Sequence, residues 1–162
     1  QEEIPFEIPP NWAWTRLEGS CRVTPTKNIQ IKESDILPKG EIPVITQSAT
    51  FVEGYSNETK KALKVTKPLV LFGDHTLNVK YIDFNFIVGA DGIKILEAII
   101  HDNIFFYYSI LWGISLIRNR GYSRHFQFLK RILIPLPPIA EQKRIVDFIT
   151  RANEQLDSML NK

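Results

Sequence analysis

A single cysteine, Cys21, stands among 162 residues, so the chain can close no internal disulfide and build no cysteine-based zinc site. That usage favours a reducing, cytoplasmic setting over a small secreted domain. The three histidines, His75, His101 and His125, are far apart and show no metal-ligand spacing. The longest apolar run, Ile104 to Ile117, is bounded by Asp102-Asn103 and Arg118. A membrane span needs about 20 residues, so the run reads as a buried helix. Glu2, Glu3 and Glu7 among prolines are the opposite of a cationic export signal. The chain opens at Gln1, which reads as a processed or excised start. Glycine and proline, 8 and 10 residues, lie near average usage and exclude a collagen-like or low-complexity chain.

Catalytic signatures are missing too. There is no G-x-G-x-x-G for a dinucleotide and no G-x-x-x-x-G-K-[ST] for a nucleoside triphosphate; the GADG at Gly89 to Gly92 has neither the spacing nor a following helix. The nearest match to a Mg²⁺-dependent nuclease is Asp35 with Glu58-Thr59-Lys60, where the neighbouring lysines suit a solvated helix better. An amino-methyltransferase element would place Asn or Asp before Pro-Pro-aromatic, but the proline pairs here follow Ile8 and Leu136.

What is present is a foldable core: 44% of residues are hydrophobic and 11% aromatic, enough for about one globular domain. The opening QEEIPFEIPPNWAW reads as an extended lead-in that docks Trp12 and Trp14. A short helical turn is suggested at Leu17 to Ser20, and the first convincing strand is Pro43 to Thr46. Leu69 to Phe72 reads as a short buried strand entering a loop at Gly73-Asp74. Val79 to Val88 alternates in its second half, and Asp91-Gly92 separates it from Ile93 to Leu96 in the manner of a two-strand hairpin. Beyond residue 100 the period becomes helical. Asp102 or Asn103 is a plausible N-cap for a helix through Ile117. A second short helix is expected over about Arg124 to Arg131, and Pro138 with Glu141 opens a last one. Its apolar positions Ile145, Ile149, Ala152, Leu156 and Met159 recur at heptad spacing, which implies a partner helix; packing on its own domain is the competing reading. The whole is expected to be α+β, a twisted, curved sheet with packed helices and a projecting C-terminal helix.

The net charge of +2 is a cancellation. Residues 118 to 131 hold Arg118, Arg120, Arg124, Lys130 and Arg131 without an acid, and residues 60 to 67 hold Lys60, Lys61, Lys64 and Lys67, while the lead-in is acidic. Cations interleaved with Asn, Tyr, Ser and His donors suit phosphate contacts, with Arg also able to fork onto guanine; an ordinary solvated loop has the same composition.

The run IPLPPIAEQKRIVDFI, Ile134 to Ile149, resembles the junction in specificity (S) subunits of Type I restriction-modification enzymes where a target recognition domain passes into a spacer helix. IPPNWAWTRL, GEIPVITQS, GDHTLNVKYIDFNFIVGADG and GYSRHFQFL follow that family's order along nearly the whole chain. The resemblance implies a recognition domain over 1–137 and the start of the spacer over 138–162. It implies a bacterial or archaeal cytoplasmic protein that reads one half of a split double-stranded DNA target. The spacer helix would pair through Ile145, Ile149, Ala152, Leu156 and Met159 with a second recognition domain's helix. Modification and restriction subunits would carry S-adenosylmethionine, ATP and Mg²⁺, leaving no cofactor, metal or catalytic residue in this chain. Base-edge and loop contacts are assigned to Gln47, Ser48, His75, Thr76 and Asn78, although Gln47 could equally cap a strand end. Phosphate contacts are assigned to Lys60, Lys61, Arg118, Arg120, Tyr122, Ser123, Arg124 and His125. Asp74 is expected to order its loop. Two rivals are a recognition domain fused into a single-chain restriction-methylation enzyme and a helical-seam assembly module that binds no DNA.

Overall fold

The chain, seen here in a computed structural model, is described over residues 4–89 and 91–161. Glu2 and Glu3 of the acidic lead-in, Ala90 of the GADG turn and Lys162 lie outside that range. The elements in chain order are β1 (Ala13–Arg16), α1 (Leu17–Ser20), β2 (Cys21–Thr24), β3 (Gln30–Ile31), β4 (Ile42–Ile45), β5 (Gly54–Ser56), β6 (Leu69–Gly73), β7 (Val79–Ile82), β8 (Ile87–Gly89), β9 (Ile93–Ala98), α2 (Asn103–Ser115), α3 (Phe126–Leu129), β10 (Leu133–Leu136) and α4 (Ile139–Leu160).

The uninterrupted apolar run Leu69 to Phe72 becomes β6, which is buried at every position because both of its faces are covered. It lies inside an antiparallel sheet of order β2-β9-β6-β7. Val70, Phe72 and Leu96 on one face meet Phe106 and Ile110 of α2 and Leu129 of α3. Leu69, Leu71, Ile82 and Ile95 on the other face meet Ile45 and Val88 of a second sheet, order β3-β8-β4-β5, and Phe86 just before β8. Helices, sheet and sheet thus form three layers, and β1 pairs with β10 in a separate ribbon that ties the lead-in to the start of α4. The α+β architecture with twisted sheets and a C-terminal helix is as the sequence suggests.

Local chemistry explains several boundaries. The Asp102 carboxylate accepts hydrogen bonds from the backbone N–H groups of Ile104 (3.0 Å) and Phe105 (3.1 Å), capping α2. At Gly113 a Cβ would lie 2.2 Å from Ile132 Cδ1, so a side chain there would have to displace the end of Ile132 where α2 packs on the chain entering β10. The first turns of α4 bury Val146 against the body, along with Gln142, whose amide donates to Pro137 O and accepts from the Asp102 backbone N–H.

Four readings need correction. β1, β2 and β3 precede the strand at residue 42; they are short, and two of them are partly exposed, so no long apolar alternation announces them. The stretch Val79 to Val88 is not one strand: β7 and β8 lie in different sheets, and β9 pairs with β2 and β6, so Asp91-Gly92 links two sheets and makes no hairpin. The lysine-rich segment forms one 3₁₀ turn, Thr59–Lys61, in place of a longer solvated helix. The helix expected over Arg124 to Arg131 is the single turn α3, and α2 stops at Ser115.

Two buried groups yield predictions. Burial pushes the Cys21 thiol up to about 11, so it should stay protonated and resist alkylation by iodoacetamide until the protein unfolds; fast labelling of the native chain would contradict this burial. His101 is buried beneath Phe105, with Nε2 3.3 Å from Pro135 O, and burial draws its pKa below the ordinary imidazole value of about 6.5. Unfolded chains therefore take up a proton that the folded chain refuses. The contribution of His101 to stability is full above about pH 6.5 and is lost as pH falls toward its lowered pKa. His101→Phe should flatten the fall in stability below about pH 6.5 in urea titrations.

Candidate functional site

Loops 46–51, 73–78, 91–92 and 118–125 converge at one end of the two sheets. The first is fastened from below. Lys80 points inward on β7, in register with buried Ile82, and its ammonium donates to Thr46 O (2.8 Å), Thr50 O and Phe51 O (3.5 Å). Desolvation pulls the Lys80 pKa down, and Glu53 partly offsets that. Glu53 in turn accepts from Ser48 Oγ and from Thr46 Oγ1 (3.0 Å), bonds that hold its carboxyl below the usual range. The Ser48 hydroxyl is thereby committed to its own loop.

Gln47 binds the loops together. Its Nε2 donates to Asp91 O (3.1 Å), its Oε1 accepts from the His75 backbone N–H (3.1 Å), and its carbonyl accepts from Thr76 Oγ1 (2.6 Å) and Asn78 Nδ2 (2.9 Å). The structure therefore brings Gln47, Thr76 and Asn78 together as mutual hydrogen-bond partners. Gly92, at φ +88°, sits so close that a Cβ there would meet Gln47 Nε2 at 2.4 Å. The positive φ calls for glycine, and a side chain there would also push the Gln47 amide off its partners.

Asp74 holds the third side. Its Oδ1 accepts from Phe126 N (2.7 Å), its Oδ2 lies 3.8 Å from Lys94 Nζ, and its carbonyl accepts from His125 N (2.9 Å) and pairs with His125 Nδ1 (3.0 Å). His125 Nε2 then accepts from Arg120 N (3.0 Å), which fixes Nδ1 as the protonated nitrogen. The reading of His125 as a phosphate contact is accordingly corrected: the ring is fully buried and orders the 118–125 loop from inside.

Exposed groups crown this frame. The His75 ring stacks on Tyr122 at 4.2 Å and 6°, with His75 Nδ1 3.1 Å from Ser123 O, and Tyr122 is 85% exposed. Ser123 Oγ donates to Arg120 O, and the Arg120 guanidinium lies over the Phe128 ring at 4.7 Å. Arg118 and Arg124 are exposed. A cleft of about 510 Å³ opens between His75, Tyr122, Arg124, Lys94 and Asp91. Lys60 and Lys61 stand apart from it on their 3₁₀ turn. Lys61 pairs with Glu58 at 2.8 Å and borders a neighbouring cleft that shares Asp91. On the opposite flank Lys94 and Arg124 also border a cleft reaching Lys130, so three depressions run on from one another.

Sequence reasoning missed Lys94, Asp91, the inward Lys80 and Gln30, whose Nε2 donates to Asp91 Oδ1 at 2.8 Å. A lysine on the apolar face of an alternating strand was a legible sign of a buried anchor. Asp91-Gly92, read as a hairpin turn, hid an exposed carboxylate. Among the described residues no group of three or more His, Cys, Asp or Glu side chains gathers as a metal site, and no helix is long and apolar enough to cross a membrane.

Comparison with known proteins is specific. The family model of the Type I restriction modification DNA specificity domain matches residues 9–162. The specificity subunit of the Type I restriction enzyme EcoR124I/EcoR124II from Escherichia coli is 29% identical over 154 residues, covering 85% of this chain and 37% of that protein. The HsdS subunit from Thermoanaerobacter tengcongensis superposes with TM-score 0.71 at 17% identity, over 97% of this chain and 41% of that one. The S subunit of a Type I restriction-modification system from M. genitalium gives 0.69 at 16% identity, over 96% and 43%. The chain thus spans about two fifths of the length of these relatives.

Proposed function

Because this chain belongs to the Type I restriction modification DNA specificity domain family, we propose that it is the part of a specificity subunit that selects a DNA sequence, reading one half of a split double-stranded target. Residues 1–137 form the recognition domain and 138–162 open the spacer. The observation that carries the reading is the convergence of four polar loops on a hydrogen-bonded frame, crowned by the His75–Tyr122 stack and flanked by Arg118, Arg120, Arg124, Lys94 and Lys130. Arginines and lysines on such a rim neutralise phosphates, while planar and hydrogen-bonding groups at its centre face base edges.

Because Gln47, Ser48, Thr76 and Asn78 are engaged with one another or with Glu53, their part is to set loop positions. Any base contact by them uses lone pairs or protons left over. Tyr122, His75, Arg124 and Arg118 remain the groups that reach outward. The chain performs no chemistry on DNA: methylation and cleavage belong to modification and restriction subunits, with S-adenosylmethionine, ATP and Mg²⁺ held there.

The α4 helix serves assembly. Leu156 and Met159 of the heptad seam are exposed, as are Leu160 and the unforeseen Phe148 at 73%. A helix from a second recognition domain laid on this face would cover them and fix the spacing between two half-sites.

The test is methylation-site sequencing of DNA from cells that express the specificity subunit with its modification partner. A split, adenine-methylated motif should appear, and one half of it should change when residues 1–137 are exchanged for those of a relative. An unchanged motif would refute the assignment.

A further inference from the structure

Asp91 is out of place on a surface that meets phosphates. It is exposed at the shared edge of the two clefts flanking the turn that carries it, with Lys94 and Arg124 on one side and a mixed rim, Lys32 and Lys61 beside Glu33 and Asp35, on the other. Its Oδ1 accepts from Gln30 Nε2 at 2.8 Å, and it makes no ion pair among the described residues. Asp74, the other acid of the larger cleft, is buried against Phe126 N and Lys94, so its charge is internally matched. The Asp91 position is not loose: its carbonyl is held by Gln47 Nε2, and the next residue, Gly92, is locked by its φ and its contact with Gln47.

An exposed carboxylate repels phosphates, so at a DNA interface it is favourable only opposite a hydrogen-bond donor. In the major groove the donors are the exocyclic amines, N6 of adenine and N4 of cytosine; guanine and thymine present only acceptors and a methyl there. Gln30 orients the carboxylate and keeps Oε1 and its second N–H for the same base.

Resting on the DNA-recognition reading above, we propose that Asp91 and Gln30 form a base-reading pair that accepts the exocyclic amine of an adenine or cytosine at one position of the target. An adenine would also offer N7 to the Gln30 amide, as glutamine does in bidentate adenine contacts; cytosine offers the amine alone.

The experiment selects binders from a randomised duplex pool with the full chain, in parallel with Asp91→Ala, Asp91→Asn and Gln30→Ala, with thermal midpoints checking the fold. The wild type should return a motif with a preferred base pair, A·T or C·G, at the position this pair reads. Asp91→Ala and Gln30→Ala should each lose that preference by about tenfold and keep the rest of the motif, and Asp91→Asn, which retains one acceptor, should fall between. Average affinity for the unselected pool should hold or rise in Asp91→Ala, since a negative charge is gone. A strict A preference identifies the bidentate arm and a strict C preference the carboxylate arm. Recovery of the wild-type motif by the folded variants, or a loss of preference spread over every position of the motif, would overturn the proposal while leaving DNA recognition standing. A wild-type chain that selects no motif would overturn both.

Discussion

Asp74→Ala should cost about 2–4 kcal/mol of folding stability and also disable the recognition loops. The carboxylate is buried, accepts the Phe126 N–H at 2.7 Å and faces the Lys94 ammonium at 3.8 Å. Alanine keeps the backbone bonds to Gly92 and His125 but strands a backbone donor inside the protein, and an unsatisfied buried donor costs about 1–3 kcal/mol. Loss of the partner of Lys94 adds to this, moderated because the lysine is partly exposed. Asp74→Asn preserves an acceptor for Phe126 and should cost about 1 kcal/mol. Urea unfolding with unchanged m-values measures both. Because the same carboxylate joins the 73–78 loop to the start of α3, residual folded Asp74→Ala should bind duplex DNA far more weakly than the wild type.

The second large effect is electrostatic. Arg118, Arg120 and Arg124 replaced together by alanine should weaken binding to every duplex sequence alike, because phosphate contacts carry no base information. The slope of log affinity against log salt should shrink by up to about three, one for each contact removed. Arg120 has a second role, since its guanidinium rests on Phe128; Arg120→Lys, which keeps the charge without the planar stack, separates the two. Affinity that is unchanged at low salt would remove this rim from the interface. Folding should be little affected, as all three side chains are exposed.

The helical half of the fold was the more legible. A polar cap at Asp102, a buried apolar run and a proline-opened amphipathic helix are local signals, and α2 and α4 follow them. The β6 strand was equally readable, because a chain buried on both faces must be apolar throughout. Strand pairing was not. The β8–β9 link resembled a hairpin because Asp-Gly favours tight turns, but here Gly92 is needed to pass under Gln47 between two sheets, a long-range contact that no local window contains.

The site divides in the same way. Its exposed members, Tyr122, Arg118 and Arg124, were visible as a run of cations and donors without acids. The residues that position them were not separable from contact residues: Gln47, Thr76 and Asn78 bond to one another's loops, and only His125 is interior. Polar side chains in loops look alike in sequence whether they bond to a partner or to a neighbouring loop. Lys80 shows the converse, a cation whose role is wholly internal.

Backbone hydrogen exchange of the chain with and without saturating duplex DNA at low salt tests the convergent-loop interface directly. Protection should rise in 46–51, 73–78, 91–94 and 118–125 together, and stay unchanged in α2 and in the exposed half of α4. Protection confined to α4 or to the β2 edge, or no change in these four segments at saturation, would contradict the interface described.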